Sequence, residues 1–289
     1  MFDIVVNPAS SSGKSMNTLR TVETILTQKN IPFEVHLSNY AGHTTEIIRE
    51  LNKKDECKVI IMGGDGTFSE ALTGVTNFDT ITFGYIPCGT GNDYARASKL
   101  STDPITALDI ILNNNVVFAD YIDINNNRRC INCAGAGMDV DVLVRYASIK
   151  HFKGKIRYYI ALLDTLLHLK FHKIRFTVNG ETLEKSVFLL TIANGTCIGG
   201  GMPISPESDP FDGYFNLVYV NEIPKRRVLP LLLKFLKGKH LDYPATVTFK
   251  AKEILVEVLD TGKIEIDGEV LDDKILDCKL IEGKLKLFV

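Results

Sequence analysis

Tryptophan is absent from this chain of 289 residues, and so is any apolar run long enough to span a membrane. The two best candidates, 158–169 and 228–236, are interrupted by Asp164 and Lys234, and neither approaches the ~20 residues that a membrane helix needs. A strong charge of one sign is missing as well, since the formal net charge is only -2 at pH 7. These absences predict a protein without a transmembrane segment and without the broad basic surface that binds nucleic acid.

A basic leader is missing at the N-terminus, where Met1 runs directly into a predicted strand. We therefore expect no secretory signal and a cytoplasmic location, in which the six scattered cysteines stay reduced. Cys130 and Cys133 have Cys-x-x-Cys spacing, but they fall in a predicted strand, 129–133. Side chains three residues apart in a strand point to opposite faces, so the pattern favours neither a zinc site nor a dithiol.

Strands and helices alternate over the first part of the chain, which we assign as a domain of residues 1–118. Such alternation is typical of a parallel sheet covered by helices on both faces, a doubly wound α/β domain. The predicted strands are 2–6, 32–37, 59–62 and 81–86, and the predicted helices are 16–28, 45–53, 68–75, 94–98 and 105–112.

Past residue 118 the pattern changes to short strands joined by turns. Asn125-Asn126-Asn127 and Asn179-Gly180 each separate two apolar runs, which predicts antiparallel hairpins. We therefore expect residues 119–283 to form a mainly antiparallel β-sandwich or barrel, with helices at about 155–169 and 226–237. Because no low-complexity linker separates the two parts, a cleft between closely joined domains is expected.

The most informative stretch is Gly63-Gly64-Asp65-Gly66-Thr67, which follows an apolar strand and opens into a helix. Glycines let the backbone approach a phosphate closely, and the N-terminus of the following helix favours negative charge. The carboxylate of Asp65 would repel phosphate unless a divalent cation lies between them or it accepts a substrate hydroxyl. The loop therefore indicates phosphoryl transfer with magnesium, although Gly-Asp-Gly also occurs in plain tight turns.

A second glycine loop, Pro87-Cys88-Gly89-Thr90-Gly91-Asn92-Asp93, follows the next predicted strand and precedes a short helix. Ligands of open parallel sheets bind outside the carboxyl ends of the strands. Both loops are expected at this edge of the sheet, where they would form one site. This arrangement weakens the alternative of an isolated turn.

Together with Asn7-Pro8 after the first strand, the two loops resemble the catalytic domain of bacterial diacylglycerol kinases and related lipid kinases, including sphingosine and ceramide kinases. The resemblance continues at Asp212-Gly213-Tyr214 and Asp267-Gly268-Glu269, so it spans nearly the whole chain. It implies a Rossmann-like first domain similar to those of NAD kinases and phosphofructokinases, which share the GGDGT loop. It also implies that residues 284–289 return to that domain.

By this resemblance the nucleotide is ATP, lying along the loops of the first domain. Thr45 has an equally good alternative role as a helix cap. The residues implied to contact ATP are Asn7, Pro8, Thr45, Gly63, Gly64, Asp65, Gly66, Thr67, Gly89, Thr90, Asn92 and Asp93.

The turn Asp267-Gly268-Glu269 is implied to carry acid–base chemistry. Asp-Gly is also a favoured hairpin dipeptide, so a purely structural role is the alternative. In the catalytic role, Glu269 or Asp267 accepts the proton of the attacking lipid hydroxyl, and Asp65 is the third catalytic carboxylate. The choice between Glu269 and Asp267 stays open at this point.

A structural Mg²⁺ is implied in the loop 206–214, which is rich in Pro, Asp and Gly. Carboxylates and main-chain oxygens of such a loop suit a hard cation. The implied ligands are Asp209, Asp212 and Tyr214, while Phe211 stands where relatives often have another Asp.

The sequence thus predicts a magnesium-dependent kinase that moves the γ-phosphoryl group of ATP to a hydroxyl of diacylglycerol or a related lipid, in phospholipid metabolism. One alternative is a NAD kinase-like enzyme, which phosphorylates a soluble nucleotide and shares the GGDGT loop. The other is a non-catalytic nucleotide- or lipid-binding protein, which would not need the acidic residues Asp65 and Glu269.

A lipid kinase without a membrane span meets its substrate at the membrane surface. Segments 153–159 and 224–239 mix Lys and Arg with aromatic or aliphatic residues, as interfacial helices do. The alternative, an amphipathic helix packed on its own domain, explains most helices of this kind. We expect peripheral contact with the membrane, and a homodimer is compatible with the sequence.

Overall fold

The structure is a computed structural model that describes residues 1–152 and 154–289. Four parallel strands form the centre of its N-terminal part, in the order β4-β3-β1-β2. They are β1 Phe2–Val6, β2 Phe33–Leu37, β3 Cys57–Gly63 and β4 Ile81–Pro87. β1, β3 and β4 read as apolar runs because helices bury both faces of the sheet.

Five helices cover this sheet. They are α1 Lys14–Gln28, α2 His43–Leu51, α3 Asp65–Gly74, α4 Asp93–Ala97 and α5 Pro104–Leu112, with a 3₁₀ turn at Ser10–Gly13. Leu26 of α1 and Leu108 of α5 pack in one apolar cluster on one face. Ile48 of α2 and Phe68 of α3 belong to a separate cluster on the other. The prediction of a doubly wound domain is therefore confirmed.

The C-terminal part is mainly antiparallel β-structure, which is also confirmed. Its apolar core lies between strands that pair by hairpins, including the predicted turn at Asn179-Gly180 between β8 and β9. The strands are β5 Val116–Ile124, β6 Arg128–Cys130, β7 Cys133–Gly137, β8 His172–Val178, β9 Glu181–Ala193, β10 Phe215–Asn221, β11 Thr246–Ala251, β12 Glu253–Val258, β13 Ile264–Ile266, β14 Glu269–Leu271 and β15 Ile275–Phe288. The helices are α6 Met138–Ser148, α7 Gly154–Leu167 and α8 Val228–Phe235, the last preceded by a 3₁₀ turn at Lys225–Arg227.

Two features of the C-terminal part differ from the sequence analysis. No element was predicted at α6, whose Met-Asp-Val-Asp-Val start alternates polar and β-branched residues and so lacks a helical period. The prediction of one strand over 129–133 is wrong, because a bend at residues 131–132 separates β6 from β7. Cys130 and Cys133 therefore do not follow strand alternation, and both are buried free thiols.

The last strand joins the two parts. β15 pairs antiparallel with β12 and β5, and near its end Leu287 lies beside Phe83 of β4 in parallel. A register shift between Ile281 and Leu285 interrupts this long strand. The division at residues 118 and 283 stays a prediction, while residues 285–288 extend the N-terminal sheet. Over the described ranges, no helix has the length and apolar character to cross a bilayer.

Candidate active site

The two glycine loops meet at the carboxyl ends of β3 and β4. A Cβ atom on Gly89 would lie 2.6 Å from the Cα of Gly64, and one on Gly63 would lie 2.5 Å from Thr67. Only glycine therefore allows the two loops to approach so closely. Asn7, after β1, joins them by donating from Nδ2 to the hydroxyl of Thr67 at 3.1 Å. Three of the predicted motifs thus form one floor.

Asp65 links the starts of two helices. It is the first residue of α3, and its carboxylate accepts hydrogen bonds from the amides of Asp93, at 3.0 Å, and Tyr94, at 3.2 Å, in the first turn of α4. Helix N-termini favour negative charge. Burial nevertheless raises the pKa of Asp65 to about 6.

Asp93 connects the second loop to the C-terminal part. Its buried carboxylate accepts from the amides of Gly200 at 2.9 Å and Gly201 at 2.7 Å, in the loop between β9 and β10. Asn92 has a positive φ of 53° and accepts from the amide of Gly89 at 2.8 Å, which shapes the loop. The side chains of Asp93 and Asn92 therefore make hydrogen bonds within the protein, and Thr90 lines the cleft beside Asp93.

Two of the predicted nucleotide residues have other contacts. The Thr45 hydroxyl donates to the main-chain oxygen of Glu70 at 2.8 Å, so it ties α2 to α3. Its alternative role as a helix cap is wrong, because Gly42 occupies the N-cap position of α2. Pro8 begins the turn before α1, where its carbonyl lies 3.4 Å from the hydroxyl of Ser15.

An acidic cleft of about 280 Å³ lies between the glycine loops and the C-terminal part. Five carboxylates line it, and among its described lining residues there is no Lys or Arg. A cleft with this surplus of negative charge fits a hard cation such as Mg²⁺. The carboxylates belong to Asp65, Asp93, Asp139, Glu265 and Asp267.

Asp267 faces into this cleft from the turn between β13 and β14. Its carboxylate accepts from the amides of Ile131 and Asn132, both at 2.9 Å, and of Cys133 at 3.1 Å. These amides belong to the residues where β6 ends and β7 begins. Their hydrogen bonds to Asp267 stabilise the bend that interrupts the predicted strand. The negative charge of Asp267 contributes to raising the pKa of Asp65 across the cleft.

Glu269 points away from the cleft. It is the first residue of β14, its side chain is 60% exposed, and its carboxylate forms an ion pair with Arg128 at 2.8 Å. The structure therefore brings Asp65 and Asp267 to one cleft and leaves Glu269 at the surface.

Sequence reasoning missed two carboxylates of the cleft, Asp139 and Glu265. Both are buried, and burial raises the pKa of Asp139 to about 7 and that of Glu265 well above its ordinary value. The sequence signal that could have indicated Glu265 is its place between two apolar residues in a short strand. Asp139 lies in the first turn of the helix that the sequence did not predict.

The predicted structural metal ligands lie in a loop that already contains a cation. One oxygen of Asp212 pairs with Nζ of Lys250 on β11 at 2.5 Å, and the other accepts from the amide of Tyr214 at 3.0 Å. Asp209 similarly accepts from the amide of Phe211 at 3.1 Å. Because Lys250 already pairs with Asp212, a metal ion at this carboxylate would have to compete with the ammonium group, and the metal site stays a prediction.

Comparisons with known proteins cover nearly the whole chain. The sequence model of the family described as Diacylglycerol kinase catalytic domain matches residues 2–124, and that of the YegS C-terminal NAD kinase beta sandwich-like domain matches residues 132–289. A diacylglycerol kinase of Bacillus subtilis (strain 168) is 27% identical over 271 residues, which are 92% of this chain and 88% of the relative. One of Staphylococcus carnosus (strain TM300) is also 27% identical, over 92% of this chain and 87% of the relative.

The fold has a close counterpart among solved structures. A crystal structure of a diacylglycerol kinase from Bacillus anthracis str. Sterne superposes with a TM-score of 0.78 at 23% identity. The match covers 99% of this chain and 96% of that chain. At this identity the likeness speaks for the fold alone.

A competition between Mg²⁺ and Lys250 is testable by thermal unfolding without nucleotide. If the loop 206–214 can bind the ion, removing the ammonium group frees the carboxylate, so Lys250→Met should show a larger Mg²⁺-dependent rise in Tm than the wild type. Asp212→Ala should lower Tm and lose that dependence. An unchanged Mg²⁺ response in Asp212→Ala would show that the ion binds elsewhere.

Proposed function

This chain belongs to the diacylglycerol kinase family and is a kinase, and from that premise we propose that it transfers the γ-phosphoryl group of ATP to a hydroxyl of diacylglycerol or a related lipid. The observation that carries the proposal is an acidic, glycine-floored cleft that adjoins an apolar cavity. The two cavities share the lining residues Asp139, Tyr158 and Ile198. A charged donor and an apolar acceptor can therefore meet at one place.

The glycine loops support binding of the triphosphate. Main-chain amides at the start of α3, next to Gly64, can donate to phosphate oxygens, whereas the amides of Asp93 and Tyr94 at the start of α4 already donate to Asp65. Asp65 is the residue that would hold Mg²⁺, which neutralises phosphate charge when bound. Phosphoryl transfer requires little covalent chemistry from the protein beyond positioning and charge stabilisation.

The apolar cavity favours a lipid over the soluble nucleotide of the NAD kinase alternative. It lies among α6, α7, α8, β9 and β10 and measures about 40 Å³, with walls that are almost wholly apolar. A cavity of this size holds only a few water molecules, far less than an acyl chain, so entry of a lipid would require α7 and α8 to separate. Its walls include Leu162, Leu166, Phe188, Leu231 and Phe235.

The first test offers radiolabelled ATP and Mg²⁺ with diacylglycerol and other lipids in mixed micelles, and with free NAD. We expect a lipid to be labelled and NAD not. Asp65→Asn should abolish turnover, because the neutral side chain no longer holds the cation, and the fold should persist because an amide oxygen still accepts a hydrogen bond from α4. Labelling of NAD alone, or of no acceptor, would overturn the proposal.

Asp267 and Glu269 should behave differently although they share one motif. In Asp267→Asn one of the two carboxylate oxygens that accept hydrogen bonds from residues 131–133 is lost, so the bend between β6 and β7 should shift. Because misplacement of a site by about 1 Å costs about 10²-fold, kcat should fall by that order. Glu269→Gln breaks only an exposed ion pair, worth about 0–1 kcal/mol, and kcat should stay near the wild-type value. Steady-state kinetics of both variants decide the matter, and a large loss in Glu269→Gln alone would reverse the assignment.

Helices α7 and α8 support contact with a membrane surface. Ile156, Tyr159, Leu163 and Leu167 form an exposed apolar stripe on α7, with Leu167 78% exposed. A second exposed apolar stripe lies on α8 and just beyond it, and it consists of Leu229, Leu233 and Leu236. The opposite faces of both helices line the apolar cavity. Exposed basic residues at 225–227 flank α8 and suit anionic headgroups. Of the predicted contact segment 153–159, Lys153 lies outside the described residues.

A charge placed on this stripe should separate membrane binding from chemistry. Leu163→Glu combined with Leu229→Glu should weaken binding to anionic vesicles and lower turnover of long-chain diacylglycerol in them, while turnover of a water-soluble short-chain diacylglycerol is retained. Leu255→Glu, at an exposed leucine of β12, is the matched control and should bind vesicles normally. Equal vesicle binding by all three proteins would remove α7 and α8 from the membrane contact.

A further inference from the structure

Tyr158 lies where the acidic cleft and the apolar cavity meet. It lines both of them, together with Asp139 and Ile198. Its ring packs against the loop between β9 and β10, where a Cβ atom on Gly199 would lie 2.9 Å from Cζ and 3.1 Å from Oη of Tyr158. Gly199 leaves the space that the ring occupies, so the phenol hydroxyl is held at the boundary between the two cavities.

A row of side chains on the inner face of α7 starts at Tyr158. Residues four apart on a helix lie on the same face, so Leu162 and Leu166 continue the row. Both leucines line the apolar cavity, whereas Tyr158 also lines the acidic cleft. At a rise of about 1.5 Å per residue, Leu166 lies about 12 Å along the helix from Tyr158. The row therefore runs from a polar group at the cleft to apolar side chains deeper in the cavity.

The hydroxyl of Tyr158 has no hydrogen-bond partner within the part of the chain that the structure describes. Its ring lies beside that of Tyr146, with the ring centroids 6.3 Å apart. Burial raises the pKa of Tyr158 well above its ordinary value, so the hydroxyl keeps its proton at neutral pH. A tyrosine with a largely buried ring usually has a partner for its O–H group. A molecule bound at the junction would supply that partner.

Hydrogen-bond donors are scarce at this junction. Of the three described side chains that the two cavities share, Ile198 is apolar. Oδ1 of Asp139 accepts from the amide of Val140 at 2.8 Å, and Oδ2 would lie 2.5 Å from a Cβ atom on Gly135. A proton on Asp139 would therefore lie on the side of Gly135. Tyr158 is left as the donor for an acceptor group that stops at the junction.

An acylglycerol carries acceptor groups of this kind between its two ends. Its free hydroxyl has to reach the glycine loops, while its acyl chains stay in the apolar cavity. The ester carbonyls lie between these two parts, within a few bonds of the hydroxyl. A carbonyl oxygen accepts hydrogen bonds and cannot donate them, and leaving it unpaired in an apolar site weakens binding. The carbonyl therefore requires a donor at the boundary of the two cavities.

We propose that Tyr158 determines the specificity for the acceptor by donating a hydrogen bond from its hydroxyl to an ester carbonyl oxygen of the acylglycerol, an inference that rests on the proposed function. The row on α7 then matches the lipid in order, with the carbonyl at Tyr158 and an acyl chain along Leu162 and Leu166. Tyr158 takes no part in the transfer of the phosphoryl group. It selects acceptors that carry a carbonyl close to the hydroxyl, and it holds that hydroxyl toward the glycine loops.

The test compares two acceptors that differ only in their carbonyl groups. A diacylglycerol and the dialkyl ether of the same chain length are offered in mixed micelles to the wild type and to Tyr158→Phe. The variant should lose about 10-fold in kcat/KM for the diester, which is the worth of one neutral hydrogen bond, and should change little for the diether. KM for ATP should stay the same. The diether is also measured as an inhibitor of diester turnover, so that its affinity is known whether or not it is phosphorylated.

Tyr219→Phe is the matched control, because Tyr219 packs on Phe176 in the core of the C-terminal part and lines neither cavity. It should leave both acceptors unaffected. Because Phe keeps the ring, Tyr158→Phe should retain the packing on Gly199, and an unchanged Tm checks this.

The comparison of residue and acceptor isolates the pairwise contribution of hydroxyl and carbonyl. An equal loss for diester and diether, or an unchanged kcat/KM for the diester, overturns the inference and leaves the proposed function standing. A wild type that phosphorylates no lipid overturns both.

Discussion

Buried carboxylates bonded to main-chain amides shape this kinase around its cleft, and one of them, Asp93, joins its two parts directly. Asp93 bonds a glycine turn of the C-terminal part, Asp267 bonds the break between β6 and β7, and Asp120 bonds the amides of Gly213 and Gly283. Amides satisfy a carboxylate without adding positive charge, unlike Lys or Arg. The cleft therefore keeps a surplus of negative charge that a bound cation can neutralise, in keeping with the proposed use of Mg²⁺.

Local signals in the sequence were enough for the fold class and the glycine loops. Periodicity predicts the strands and helices around the N-terminal sheet, and Gly63 and Gly89 follow strands in the manner of phosphate loops. The orientation of the Asp267-Gly268-Glu269 turn was beyond such signals. Asp267 adopts a positive φ of 47°, and within two residues the chain turns from the cleft to solvent. The motif alone cannot tell which carboxylate faces inward.

The burial of the residues that the sequence analysis missed depends on the elements that pack against them. Strand alternation would place Glu265 opposite its apolar neighbours and toward solvent, but all three residues of β13 are buried because the strand lies between β7 and β14. The pairing of Asp212 with Lys250 likewise joins residues 38 apart, on a loop and on β11. Side-chain environment in these cases is set by long-range packing, which a single sequence does not encode in local form.

Asp139 and Asp267 differ in how their buried oxygens are paired. Burial raises the pKa of both carboxyl groups. At Asp267, three amides and the thiol of Cys130 oppose that rise, because they stabilise the ionised form. Asp139 has one buried oxygen without a partner, which opposes folding. Neutralising Asp139 should therefore stabilise the fold at a pH above its pKa, whereas Asp267→Asn should destabilise the fold because its donors lose an acceptor.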